Sequence, residues 1–106
     1  MGSIKIRSRQ LEGYTEIKLL ITHPMENGRN RHPITGALIP AHFIRELVIE
    51  LNGRSIMTAE LGGSLSMNPF FTFRLKHRER GDRLQVHWID NLELSDSAEY
   101  LFESDD

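Results

Sequence analysis

Along most of this chain, hydrophobic and polar residues alternate with a period of two. In the opening IKIR, Ile4 and Ile6 fall on one side, Lys5 and Arg7 on the other. YTEIKLLI sets Ile17, Leu19 and Ile21 against Glu16 and Lys18, and FFTFRLK sets Phe71, Phe73 and Leu75 against Thr72, Arg74 and Lys76. RLQVHWID sets Leu84, Val86 and Trp88 against Gln85 and His87. Successive side chains of a strand point to opposite faces, so each segment predicts a strand with one face buried. The tail SDSAEYLFE predicts a last strand with Ala98, Tyr100 and Phe102 on one face, a short helix being the alternative, and the closing ESDD is expected to be solvated. Turn residues punctuate the pattern at Glu12-Gly13, Asn52-Gly53, Gly62-Gly63, Asn68-Pro69 and Gly81-Asp82. Asn52-Gly53 is the strongest hairpin signal, because a type I′ turn needs positive φ at both central residues. About seven short strands without a long helix predict an all-β fold, a single immunoglobulin-like antiparallel β-sandwich domain spanning residues 1–106.

Two segments break the alternation. In HFIRELVIEL, Leu47, Ile49 and Leu51 share a face, while strict alternation places Ile44 and Val48 on the other. A strand apolar on both faces needs cover on both, and in so small a domain the second cover is expected from another protein. The second segment, residues 23–41, is predicted to be irregular and runs through HPMENGRNRHPITGALIPA. Loops that long inside a compact domain are functional or disordered. Its prolines lower the entropy lost on ordering, and Met25, Ile34, Leu38 and Ile39 are out of place on a free loop. The expected partner contacts are therefore Met25, Leu38, Ile39, Phe43, Ile44 and Val48.

Composition narrows the function classes. With 106 residues, 39% hydrophobic and 26% charged, the chain has the makeup of a globular domain. A net charge of -2 weighs against a dedicated nucleic-acid binder. There is no cysteine, which excludes a disulfide, a thiol nucleophile and a thiolate metal site within the chain. No apolar run approaches the roughly 20 residues of a membrane helix. The start MGSIKIRSR lacks the apolar core of a signal peptide, so the chain is expected to carry no export signal of its own or to have lost one.

The polar chemistry is sparse. His23, His32 and His42 are separated by nine and ten residues, not by the i, i+2 or i, i+4 spacing that places ligands on one face of a regular element. Both His23 and His32 precede proline, which holds each in extended backbone. No metal site is expected. No G-x-S-x-G elbow occurs and the acids are scattered over strand faces, so no catalytic residue is expected. Arg29, Arg31, Arg45 and the run RLKHRERGDR read as solvated surface, with the capacity to steer an acidic partner.

Several words of the sequence match one family. HPMENG (23–28), TGALIPAHFI (35–44), LNGRSIMTAELGGSLSMNPFFTFRLK (51–76) and GDRLQVHWIDN followed by SDSAE (81–99) resemble SoxZ, the non-thiol subunit of the SoxYZ sulfur carrier of thiosulfate oxidation. The resemblance covers almost the whole chain. It implies an immunoglobulin-like sandwich and a heterodimer with a SoxY-like subunit, whose C-terminal Gly-Gly-Cys-Gly-Gly arm carries sulfur intermediates between periplasmic enzymes. It also implies that the partner bears the export signal, and that this subunit holds no cofactor and supplies no thiol. One departure stands out. Members often have glycine in the turn after W-x-D-N, where this chain runs Asn91-Leu92-Glu93-Leu94, which disfavours a tight type I′ turn. The resulting expectation is a non-catalytic, periplasmic scaffold in a SoxYZ-type heterodimer, working through its partner with other Sox enzymes and binding neither nucleic acid nor membrane. The alternatives are a stand-alone immunoglobulin-like module for a small anion or glycan, with a concave polar site, and a metal enzyme using His23, His32 and His42.

Overall fold

The computed structural model describes residues 2–103, so Ser104–Asp106 of the closing ESDD lie outside the described residues. Seven strands follow in order: β1 (Ile4–Leu11), β2 (Tyr14–Ile21), β3 (Ile44–Leu51), β4 (Arg54–Glu60), β5 (Phe70–Leu75), β6 (Arg83–Asp90) and β7 (Ser95–Leu101). They form a three-stranded sheet of order β1-β2-β5 and a four-stranded sheet of order β4-β3-β6-β7, with every pairing antiparallel. The chain changes sheet between β2 and β3, β4 and β5, and β5 and β6. This is the immunoglobulin-like β-sandwich expected from the period-two pattern.

The alternation sets the core. Ile17, Leu19 and Ile21 of β2 meet Leu47 and Ile49 of β3 and Leu84, Val86 and Trp88 of β6 in one buried cluster, closed by Ile4, Leu75 and Phe102. Between β3 and β4, Asn52 and Gly53 have φ of 53° and 81°. Both central residues are thus left-handed, as a type I′ turn requires. The turn after β6 forms without glycine by another route. Glu93 donates its N–H to the Asp90 carbonyl and takes φ 66°, which makes a three-residue loop with a left-handed bulge residue in place of the I′ turn.

β3 departs from the strict alternation expected of it. Ile44 pairs with Asp90 but Glu46 pairs with Ile89, so Arg45 is an extra residue, a β-bulge. The bulge resets the alternation. Ile44 turns inward and is fully buried beside Leu47 and Ile49, while Val48 stays half-buried on the outer face. The two side chains that strict alternation placed together lie on opposite faces.

Candidate functional site

The 23–41 segment is ordered into a narrow finger. Glu26 and His42 exchange backbone hydrogen bonds at its base (2.7 and 2.8 Å), Ile39 N–H reaches Asn30 O, and His32 N–H reaches Ala37 O. Arg31 pairs with Leu38 between them. Residues 29–38 are all exposed. Both His-Pro dipeptides use one local device. The ring Nδ1 of the histidine accepts the N–H two residues on: Met25 to His23 at 3.1 Å, Ile34 to His32 at 3.2 Å. Proline between them fixes φ for the bend.

A buried cluster anchors the finger. His23 Nε2 lies 3.0 Å and His42 Nε2 2.7 Å from the same oxygen, Asp90 Oδ2. The other carboxylate oxygen, Oδ1, accepts the N–H groups of Leu92 and Leu94, each at 2.9 Å. Next in sequence, the Asn91 side chain bonds Ala41 O and Phe43 N–H. The end of β6 therefore grips both sides of the finger base. His23 is pinned further by Asn68, which accepts the His23 N–H through Oδ1 and donates its own N–H to the His23 carbonyl. The His23 ring stands edge-on to Trp88 at 5.0 Å and to His42 at 4.6 Å. Met25 holds a left-handed φ of 51°, a conformation that costs a bulky residue about 1–2 kcal/mol. Its thioether is buried in the core and accepts the Ile44 N–H at 3.4 Å, which helps to hold the strained backbone.

Electrostatics follow from this geometry. Burial pushes the Asp90 carboxyl up, but the hydrogen bonds from His23, the Leu94 amide, His42 and the Leu92 amide outweigh it and hold the group below the ordinary carboxylate range. His23, His42 and Asp90 also place ligand-type atoms within 4.8 Å of one another, a grouping their sequence spacing did not suggest. The protons decide what that grouping is. His23 Nδ1 accepts the Met25 N–H, so a neutral ring carries its proton on Nε2 and donates it to Asp90. A metal-bound histidine has the opposite arrangement, with the metal on one nitrogen and the other donating to an acceptor. Placing a cation on Nε2 would turn an Nδ1–H against the Met25 N–H. The donor set fits a hydrogen-bonded clamp and fits a cation poorly.

The expected contact residues divide. Met25 and Ile44 belong to this chain's own core, at 5% and 0% exposure. Neither is on offer to a partner, the first because its thioether packs inward and the second because of the bulge at Arg45. Ile39, Phe43 and Val48 are half-buried, and Leu38 is exposed on the finger. Ile34, at 88% exposure, projects from the same finger. His32 sits there too, away from His23 and His42, so the three histidines do not converge. Asp90 and Asn91 escaped the sequence reading of candidate sites. A signal existed: Asp90 is an acid in phase with the inward Leu84, Val86 and Trp88, as His23 is in phase with Ile17, Leu19 and Ile21.

A hollow of about 630 Å³ lies on the outer side of the four-stranded sheet and is lined by Glu50, His87, Asp96, Ser97 and Glu99 among others. Its three carboxylates, Glu50, Asp96 and Glu99, suit an anion badly, so it lends no support to an anion-binding module. No match to a curated protein is found. Residues 4–100 match the model of the family described as Sulphur oxidation protein SoxZ. The matched span takes in all seven strands but the last residue of β7, with the finger and the clamp, and on this ground the chain belongs to the SoxZ family of sulfur-oxidation proteins.

Proposed function

We propose that this chain is the thiol-free subunit of a sulfur-carrier pair in the periplasm, holding a SoxY-like subunit in a heterodimer and taking no part in covalent sulfur chemistry. The finger carries this reading. It presents Ile34 and Leu38, at 88% and 54% exposure, on a base locked by His23, His42, Asp90 and Asn91. Exposed apolar side chains on a rigid support suit a permanent partner, because little ordering entropy remains to be lost on binding. The chain itself contains no cysteine, so a carried sulfur atom needs a thiol from elsewhere. Val48, half-buried on the outer face of β3, and the exposed part of Phe43, which precedes β3 and packs in part against the core cluster, extend the contact.

Co-expression with a SoxY-like chain, followed by co-purification and calorimetry, tests the reading. The pair is expected to co-elute. Leu38→Asp and Val48→Asp should each leave the circular dichroism unchanged and lower the affinity. A carboxylate buried without a partner costs several kcal/mol, which is about two orders of magnitude or more in Kd. Normal pairing by both variants would move the contact elsewhere on the surface. Failure of the wild-type chains to pair would remove the heterodimer itself.

A further inference from the structure

Charge is divided between the two outer faces of the sandwich. On the four-stranded sheet, register places Glu46, Glu50, Glu60 and Glu99 outward with a single arginine, Arg83, which is paired to Glu99 at 3.2 Å. On the three-stranded sheet it places Lys5, Arg7, Arg9, Lys18 and Arg74 outward with a single acid, Glu16. The net charge of the whole chain is only -2, so composition conceals this separation.

Protection of sheet edges does not account for the basic face. Lysine and arginine on edge strands do discourage edge-to-edge pairing, but Lys18 lies on β2, the central strand of its sheet. Lys18 stands directly opposite Arg7 in the β1–β2 register, and like charges so placed oppose the pairing. A solvated face selected for stability alone would set an acid against Lys18. Glu16 contacts Lys18 at 3.7 Å and Arg9 at 3.3 Å, which leaves Arg7 beside it uncompensated among the ion pairs of the described residues. The face also has an apolar end. Leu20 pairs with Phe70 across β2 and β5, and Phe70 and nearby Met67 are 58% and 67% exposed.

We propose that the outer face of the β1–β2–β5 sheet is a docking surface for an acidic protein, with carboxylates over Lys5, Arg7 and Lys18 and an apolar side chain against Phe70 and Leu20. Alternate residues of a strand are about 6.8 Å apart and neighbouring strands about 4.8 Å apart, so the cations form a grid that carboxylates on a sheet or extended segment can match. A protein suits this face better than a nucleic acid. The apolar end offers phosphate nothing, Glu16 repels phosphate in the middle of the grid, and the chain as a whole is not basic. The surface lies on the sheet opposite Val48, so it stands or falls independently of the heterodimer contact.

The test uses the full chain and a labelled 12-residue peptide in which Glu alternates with Ser and one end carries Trp-Leu, followed by fluorescence anisotropy. Binding is expected at low salt and should weaken about tenfold or more by 0.2 M salt, where the screening length is under ~10 Å. The same peptide with Lys for Glu should not bind. Arg7→Glu is the decisive variant, because it replaces a repulsive cross-strand pair by an attractive one. Its unfolding midpoint should be equal to or above that of the wild type, while peptide affinity falls at least tenfold. Phe70→Ser should weaken binding to a similar degree at high and low salt. Peptide binding that is absent, or unchanged in Arg7→Glu, overturns the proposal. So does tighter binding of a 20-base-pair duplex or of anionic vesicles than of the peptide. Self-association at low salt that Arg7→Glu abolishes would assign the face to a second copy and also overturn it.

Discussion

Replacing Asp90 by Asn tests the clamp at its centre. The change preserves shape and removes one charge. An asparagine carbonyl can serve the Leu92 and Leu94 amides or the two imidazoles, but not both pairs, because aspartate serves them with different oxygens. If the carbonyl keeps the amides, the new NH2 group faces His23 Nε2 and His42 Nε2. His42, with its side chain 26% exposed, can shift its proton and accept. His23 cannot, because its Nδ1 is taken by the Met25 N–H and its side chain is 2% exposed. One buried donor is left facing another donor, at about 1–3 kcal/mol. The loss of charge assistance in the remaining bonds adds about 1 kcal/mol. The total, about 2–4 kcal/mol, would lower the melting temperature of a domain this size by roughly 10–25 °C. Urea unfolding at pH 7 measures it. The pH dependence supplies a second reading. The folded carboxyl titrates below its unfolded value, so its contribution is complete above about pH 4 and fades as the pH falls through that value toward the folded one. The gap between wild type and variant should therefore close in acid. A loss under about 1 kcal/mol, or nitrogen-detected spectra placing the His23 proton on Nδ1, would refute the reasoning.

Two further outcomes follow from local geometry. Glu93 holds a left-handed φ of 66° while its side chain meets Arg45 at 3.5 Å on the exposed surface; Glu93→Gly should stabilise the fold by roughly 1 kcal/mol, measured by urea unfolding, since an exposed ion pair contributes little. Added zinc should not raise the melting temperature of protein free of a polyhistidine tag, and a shift of several degrees at micromolar zinc would show that His23 and His42 can give up their Nε2 protons to a cation held with the Asp90 carboxylate.

Much of the fold follows from period two alone. The strands, the inward set from Ile4 to Phe102 and the type I′ turn at Asn52-Gly53 were legible, because pleat alternation and left-handed turn residues are local properties. Even the clamp left a trace, since His23 and Asp90 fall in phase with the apolar positions of β2 and β6. Tertiary structure decided the rest. One extra residue at Arg45 turned Ile44 inward, and alternation cannot count an insertion that only the partner strand reveals. His23, His42 and Asp90 come together because β2 and β6 lie in different sheets whose ends meet, and no sequence spacing encodes that meeting. The separation of charge into a basic and an acidic face also needed the register, because a chain of net charge -2 reads as nearly neutral until each strand is assigned a face. Residue type and period are written along the chain, whereas proximity depends on how two sheets are laid against each other.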